Sequence, residues 1–448
     1  MGCGNIHDSS AGVIVDMKAI VDCNNFYCSC ERLFQPKFEK RPVVVLSNND
    51  GCVISRSDEA KQLSIAMGVP LFEVRSLIRE KGIAVFSSNY ALYGDLSWRV
   101  METLRIILGK ERVEVYSVDE AFLELDALGE KKMAELALSI RNTVEQWTGI
   151  RVSVGVGPTK TLAKLANRLA KKNKAFTNCV MVLAELPDIE QALRRTSISD
   201  LWGIGRRYSK QLREKWSIYD GWQLAQVSET FATKYLGGVV GTRLIRELRG
   251  IPSRTMEEER MQKKMIATTR MFGRRVYELS EIKEAIATYT ARAAEKLRRQ
   301  FSAASHIHVF IIEHREGDRH GMAYDNHRYL EKPTSDSSIL IRVATELIVT
   351  LYKKGRAYKK AGVVLSEIVP EAARQGSLFM DGTSSTDDRL PLMLAIDNIN
   401  FSLPPAHEPQ HDSILRFAAA GTNRGWKMKQ EYRSPRYTTK WHELPRVR

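Results

Sequence analysis

Histidine and cysteine are scarce in this chain, at nine and six of 448 residues. So few cysteines exclude a disulfide framework. Cys23, Cys28 and Cys30 cluster, but no second pair lies at zinc spacing and no histidine follows at ligand distance. They read as structural thiols of a reducing compartment. No apolar run is long enough to cross a membrane, and MGCGNIHDSS lacks the charged start and apolar core of a signal peptide. Gly2 would suit myristoylation, but Ile6 stands where Ser or Thr is needed. Residues 1–16 therefore read as a dispensable extension before Met17. There is no internal repeat. A P-loop is also missing: in GVGPTKT, Thr159 rather than glycine precedes Lys160, which argues against an ATPase motor.

What is present is positive charge. Lys and Arg number 68 against 53 Asp and Glu, a net +15. Such a surplus favours a polyanionic partner, because each cation near a phosphate releases a condensed counterion. The chain is 43% hydrophobic and long enough for several cores.

Across residues 17–190, short apolar or alternating runs (KAIVD, VVVLS, RVEVYSVDEAFLEL, RVSVGVG) mix with helical stretches, which predicts α/β sheet structure. Within RVEVYSVDEAFLEL the pattern is strand, turn, strand. YALYGDLSWRVMETLRIIL and PTKTLAKLANRLAKK read as helices. From about Thr196 the pattern turns helical, and DLWGIGRRYSKQL reads as helix, glycine turn, helix. Residues 258–368 return to mixed elements, with REGDRHGMAYDNHRYLEKPTSDS as a long polar loop. The polar, proline-containing segment from Pro370 reads as only partly ordered.

Three carboxylates stand out. Asp22 ends a buried strand, and Asp119 and Glu120 sit at a strand–strand turn. Carboxylates there are costly unless paired or bound to a cation. Hard oxygen ligands without histidine suit Mg²⁺, and two such ions can activate a hydroxyl and stabilise a leaving pyrophosphate. Strand alternation separates adjacent side chains, so convergence requires Asp119 and Glu120 to lie on a turn or bulge. An isolated Asp-Glu step reads more readily as surface charge.

Phe26 and Tyr27 follow Asp22 by one helical turn. An aromatic there can pack under a nucleotide sugar and collide with a 2′-hydroxyl, or can be ordinary core. Lys160, Lys164 and Lys171 share one helix face, and Lys61 lies on an earlier helix; both also suit solvated faces. Gly203 and Gly205 of LWGIG would expose backbone N–H groups to a phosphate, with Arg206 and Arg207 beside them. This is a helix-hairpin-helix pattern for sequence-independent DNA binding; a plain glycine turn is the alternative. Lys353, Lys354, Arg356, Lys359 and Lys360 form a basic cluster suited to a duplex backbone. Gln375, Leu378 and Phe379 of QGSLF could dock in a partner groove.

Taken together, DCNNFYCSCE, VVVLSNNDGCVISRSDEAK, FSSNYALYGDLS, VYSVDEAF, VGVGPTKTLAKLAN, LWGIGRR, YTARAAEKLR and SPRYTT resemble the Y-family of translesion DNA polymerases, in its UmuC-type branch. The resemblance runs from Met17 to the C-terminus. It implies an α/β multidomain right-hand fold. The palm would be 17–36 with 101–190, small fingers 37–100, a helix-hairpin-helix thumb 191–257, an α+β little finger 258–368, and a tail 369–448. It implies that Asp22, Asp119 and Glu120, with the backbone carbonyl of Cys23, bind two Mg²⁺ ions. Tyr27 would be the steric gate beside Phe26, and Ser55, Lys61 and Lys171 would contact the incoming triphosphate. A tyrosine common among relatives is replaced by Asp58, which puts those finger contacts in doubt. QGSLF looks like a sliding-clamp motif. Expected partners are primer–template DNA, deoxynucleoside triphosphates, the clamp, a processed UmuD-type dimer and a RecA filament. The setting would be the bacterial cytoplasm, nucleoid-associated, in error-prone SOS mutagenesis and damage tolerance. Two other readings compete: a palm-fold nucleotidyl cyclase and a non-catalytic DNA-binding subunit. LWGIGRR and the net charge weigh against the first, and the three acids against the second.

Overall fold

In the computed structural model, residues 16–126, 128–256, 262–373, 389–402, 414–422 and 424–445 are described. The chain opens with β1 (Met17–Cys23) and α1 (Phe26–Leu33). A small unit follows: β2 (Val43–Leu46), β3 (Val53–Arg56), α2 (Asp58–Gln62), α3 (Leu71–Lys81) and β4 (Ala84–Ser87), its sheet ordered β3-β2-β4. The chain then returns through α4 (Tyr90–Leu108), β5 (Val113–Val115), β6 (Glu120–Leu125), α5 (Glu130–Thr148), β7 (Val152–Gly157), α6 (Lys160–Lys172), α7 (Lys174–Thr177) and β8 (Val180–Val182). These complete a five-stranded sheet, β5-β6-β1-β7-β8.

β1 is central, antiparallel to both β6 and β7. Its apolar run reflects burial on both faces. Ala19 and Val21 join the core with α4 and α5, while Ile20 packs with Phe122 and Ala163 under α6. Alternation therefore places Asp22 on the α6 side. α6 starts cleanly because Thr159 accepts a hydrogen bond from the Leu162 N–H as N-cap. The boundary expected at 100/101 falls inside α4, one unbroken helix. Leu92, Tyr93, Leu96, Val100 and Leu104 all lie in the core of the five-stranded sheet, so the small unit ends near Ser88.

A helical unit comes next: α8 (Leu186–Arg194), α9 (Arg206–Trp216), α10 (Gly221–Ala225), α11 (Glu229–Tyr235) and α12 (Val239–Leu248). Its core is continuous with Leu162, Leu165 and Ala166 of α6. The helix expected immediately before Gly203 is only a 3₁₀ turn, Ile198–Asp200.

The last large unit holds β9 (Met265–Val276), α13 (Leu279–Arg299), β10 (Ser302–Arg315), β11 (Asp318–Thr334), α14 (Ser337–Leu351) and β12 (Tyr358–Pro370), with sheet order β11-β10-β12-β9. α13 and α14 cover one face, where Ile307, Val309 and Ile311 are fully buried. The segment expected as a polar loop is β11, paired to β10 from Asp318 to Thr334. It hides from pattern reading because it is an edge strand: polar side chains on an edge discourage pairing with other chains.

The described residues of the C-terminal segment, expected to be only partly ordered, form a helix and an extended stretch. α15 (Leu390–Ser402) lies beside α13, where Asp397 pairs with the buried Arg298. Residues 424–437 then form a strap. Trp426 is buried edge-to-face against Tyr289, 5.7 Å between centroids. The Lys429 N–H donates to Asn49 Oδ1 (2.8 Å) and the Glu431 N–H to Asp50 Oδ2 (2.8 Å). Tyr432 exchanges hydrogen bonds with Ser87 (2.9 and 3.1 Å), and Tyr437 stacks on Phe34 at 4.7 Å. The strap thus joins three units. Asn49 also donates to the Met271 and Phe272 carbonyls at 3.2 and 3.1 Å, a direct link to β9.

Under the strap sits Glu31, fully buried, accepting from Tyr93 Oη (2.6 Å) and Ser434 Oγ (3.0 Å), with no ion pair to it among the described residues. Burial pushes its carboxyl from 4.5 up to about 7, more than those hydrogen bonds offset. The folded state therefore holds this proton more tightly than the unfolded chain. The resulting stability is full below pH 4.5 and is lost as pH rises through about 7. A rise of that size corresponds to on the order of 3 kcal/mol. Glu31→Gln is expected to remove this fall, so that variant and parent diverge in urea midpoint at pH 8 but not at pH 4; identical pH profiles would sink the assignment.

Candidate nucleotidyl-transfer site

The β1–β6 register sets Asp22 directly opposite Glu120, and the Cys23 N–H donates to the Asp119 carbonyl at 2.8 Å. Asp119 is the last residue of the bend between β5 and β6, and Glu120 the first of β6. α6 lies across this pair because Gly155 of β7 lets it approach. A Cβ there would meet the Asn167 nitrogen at 2.1 Å and the Ala163 carbonyl at 2.4 Å. Asn167 Nδ2 also donates to the Ser153 carbonyl at 2.8 Å.

The lysines expected to share one face of α6 do so, and each meets a carboxylate from the sheet: Lys160 on Glu114, Lys164 on Glu120 at 2.6 Å, and Lys171 on Asp22. Burial drives the Asp22 carboxyl up to about 7; Lys171 pulls it down and Glu120 adds to the rise. Burial also raises Glu120, but the Lys164 hydrogen bond and charge outweigh it and hold this carboxyl below its usual range. Of the two facing acids, Asp22 therefore takes up a proton more readily than Glu120. Asp119 accepts from Ser117 Oγ at 2.7 Å, and its charge acts on the Cys23 thiol and on Tyr27.

Asp22, Glu120, Lys164 and Lys171 line a cavity of about 410 Å³ together with Asn167, Arg168, Asp200 and Trp202. Among the described residues, no three of His, Cys, Asp and Glu already form a ligand cluster, and two lysines neutralise the acid pair. The donors are nonetheless hard oxygens in a desolvated place that demands positive charge, a chemistry that fits Mg²⁺.

The sequence matches the impB/mucB/samB family over residues 21–168, that family's C-terminal domain over 263–378, and a domain of unknown function over 391–447. Over 440 residues it is 39% identical to the protein UmuC of Salmonella typhimurium, covering 96% of this chain and 100% of the relative. The chain belongs to the impB/mucB/samB family. MucB of Escherichia coli is 34% identical over 96% of this chain and 99% of that protein. DNA polymerase IV of Desulfatibacillum aliphaticivorans is 28% identical over 85% of this chain and 92% of that one. A Y-family DNA polymerase chimera superposes with a TM-score of 0.63 at 21% identity, over 79% of this chain and 99% of the other. The fold is thus that of the right-hand polymerases. Its palm is the five-stranded sheet, its fingers the small unit, its thumb the helical unit, and its little finger the β9–β12 unit.

Within this family fold, Tyr27 stacks on Tyr93 at 4.5 Å and meets Tyr90 edge-on at 6.1 Å, while Phe26 is core. Ser55 and Lys61 lie in the fingers, outside the acid cavity. Ser55 Oγ donates to Cys28 Sγ at 3.3 Å, and Lys61 binds Asp58 at 3.0 Å. Asp58 also binds Lys174 at 2.5 Å and accepts from Asn25 at 3.1 Å. Burial would raise its carboxyl, but these donors hold it far below the usual range. Asp58 is therefore a fingers–palm tie.

In the thumb, Gly203 takes the left-handed φ of 93° that its turn needs. Gly205 caps α9, and Arg206 and Arg207 are exposed at its start. QGSLF lies outside the described residues, and so do residues 1–15. In the basic cluster, Arg356 is held by Glu313 at 2.7 Å and Tyr324 at 2.6 Å.

Two residues escaped sequence reasoning. Trp202 seats the thumb on the palm, between Tyr116, Phe122 and Lys164, with the Arg254 guanidinium 4.2 Å from its ring centroid. Glu247, 1% exposed, accepts from the Thr161 N–H and Oγ (3.0 Å each) at the start of α6, and from the Ser253 N–H (3.0 Å). A lone acid on the apolar side of α12 was its one available signal. Gly155→Ala is expected to lift α6 off the sheet and lower stability by about 3 kcal/mol. An unchanged denaturant midpoint would refute the close approach.

Proposed function

We propose that this chain is an error-prone translesion DNA polymerase, adding deoxynucleotides to a primer 3′ end. The observation that carries this is the cross-strand Asp22–Glu120 pair beneath the lysine face of α6, in a member of this family with a right-hand fold. Asp22, Asp119 and Glu120, with the Cys23 carbonyl, would hold two Mg²⁺ ions. When bound, these supply Lewis-acid activation of the primer hydroxyl and charge stabilisation at the leaving pyrophosphate.

The chain's own residues do the rest. Lys164 and Lys171 lie within reach of the acids, so a cation taking their place frees two ammonium groups for triphosphate oxygens. Ser55 and Lys61 contribute from the fingers. Tyr27, braced by Tyr93, excludes the ribose 2′-hydroxyl, with Phe26 behind it. Gly203, Gly205, Arg206 and Arg207 bind the duplex backbone through N–H groups and charge. Gln375, Leu378 and Phe379 engage the sliding clamp, and a UmuD-type dimer and RecA filament act on the enzyme in the bacterial cytoplasm, at the nucleoid, during the SOS response. No helix among the described residues is long and apolar enough to cross a membrane.

Primer extension across an abasic template site tests the assignment. Asp119→Ala is expected to lower the rate by at least about a thousandfold, or about 4 kcal/mol of barrier. Extension that survives the substitution removes the acids from catalysis, and a cyclic nucleotide made without template would favour a cyclase. In the same assay, Tyr27→Ala is expected to admit ribonucleotides; unchanged sugar selection would reject the gate.

A further inference from the structure

Helix α1 carries Tyr27, and two different elements hold its two sides. On one side Tyr27 stacks on Tyr93 of α4 at 4.5 Å, and one turn later Glu31 accepts from the Tyr93 hydroxyl at 2.6 Å. The other side, at residues 25, 28 and 32, is held by the fingers. Asn25 Nδ2 donates to Asp58 Oδ1 at 3.1 Å. Cys28 Sγ donates to the Val43 carbonyl at 3.4 Å and accepts from Ser55 Oγ at 3.3 Å. Arg32 meets Glu59 at 2.6 Å. Spacings of three and four bring these three positions onto one face. The roll of α1 about its own axis, and with it the placing of the Tyr27 ring, is therefore set by the fingers as well as by α4.

The start of α1 shows how the fingers take hold. Asn25 is the N-cap residue, where an asparagine side chain ordinarily accepts from an N–H of the first turn. Here it makes no such bond. Its backbone is left-handed, at φ 49° and ψ 43°. Its side chain is spent across the seam, with Nδ2 on Asp58 and Oδ1 accepting from Lys61 at 2.5 Å. Asn24, one residue earlier, is held by the palm, accepting from Ser153 Oγ at 2.7 Å. The turn into α1 is thus pinned by the palm at residue 24 and by the fingers at residue 25. Asp58 is the hub of the second pin: its carboxylate faces Asn25, Lys61 at 3.0 Å and Lys174 of α7 at 2.5 Å. Removing that carboxylate takes the acceptor from the Asn25 amide and leaves two ammonium groups beside each other.

We propose that Asp58 is a positioning residue for sugar selection. Through Asn25 it fixes the start of α1, and thereby the ring that meets the 2′ position of the incoming nucleotide. The inference rests on the reading of Tyr27 as the gate. Asp58 acts through Asn25 and the two peptide units that lead to Tyr27, not on the sugar itself.

Single-nucleotide insertion by the full chain on primer–template DNA tests this, with kcat/KM measured for a deoxynucleotide and for the matching ribonucleotide. Asp58→Ala is expected to lower the deoxy-to-ribo ratio about tenfold, or about 1.4 kcal/mol of discrimination. Asp58→Asn keeps an acceptor oxygen for the Asn25 amide and is expected to hold the ratio within about twofold of the parent. Asn25→Gly accepts the left-handed backbone without strain and is expected to match the loss in Asp58→Ala. The two changes together should lose no more than either alone, because they lie on one path. If Asp58→Ala does not fold, Asn25→Gly is read in its place. A ratio that stays at the parent value overturns the proposal, and so does an additive loss in the double variant. A loosened fold, or a Lys61 freed for the triphosphate, would alter both substrates alike and leave the ratio unmoved. Tyr27→Ala in the same series separates the two readings. If it admits ribonucleotides and Asp58→Ala does not, the gate stands and this inference fails; if neither does, both fail.

Discussion

Two carboxylates forced together across the middle of a sheet are the constraint on which this molecule turns. Asp22 and Glu120 face each other because β1 and β6 pair in that register, and both face α6 because strands alternate. Their repulsion in a desolvated place has to be offset, and α6 brings the offset as a row of ammonium groups. That helix must lie close, so β7 carries glycine beneath it, and it must be anchored, so Glu247 of the thumb grips its first turn. Palm and thumb are bound together by the need to hold one electrostatic arrangement.

The parts legible in the sequence are those whose signal is local. β1 shows as an apolar run, and the lysine face of α6 shows in its four- and seven-residue spacing. The cross-sheet carboxylates of that face were not legible, because spacing says nothing about which strand lies beneath. β11 was hidden because an edge strand with polar side chains looks like a loop. The helix α4 was legible, but the fingers–palm boundary expected at 100/101 was not, because only burial shows to which core that helix belongs. Trp202 sits within a glycine-rich segment whose glycines carry the stronger local signal, although its ring is the surface that seats the thumb.

The strap was the least legible part, and its physics explains why. It carries little periodicity of its own. Main-chain N–H groups dock onto Asn49 and Asp50, and Tyr432 pairs with Ser87, all more than 300 residues earlier. Extended segments held by distant polar groups leave no pattern that a window along the chain can detect. Trp426 and Tyr437 are its two apolar anchors, one in the little finger and one on α1.

The strap also sets how this protein responds to being cut. A protease acting between Pro370 and Trp426 would leave every acid, every palm lysine and the whole thumb on the N-terminal fragment. That fragment would lose Trp426 from under Tyr289 and the ties to Asn49, Asp50 and Ser87, while the side-chain link from Asn49 to β9 stays. Its little finger would be held to the fingers more weakly while the acids stayed in place. The placement of the little finger and the geometry of the acid pair are thus separable by one cleavage of the backbone.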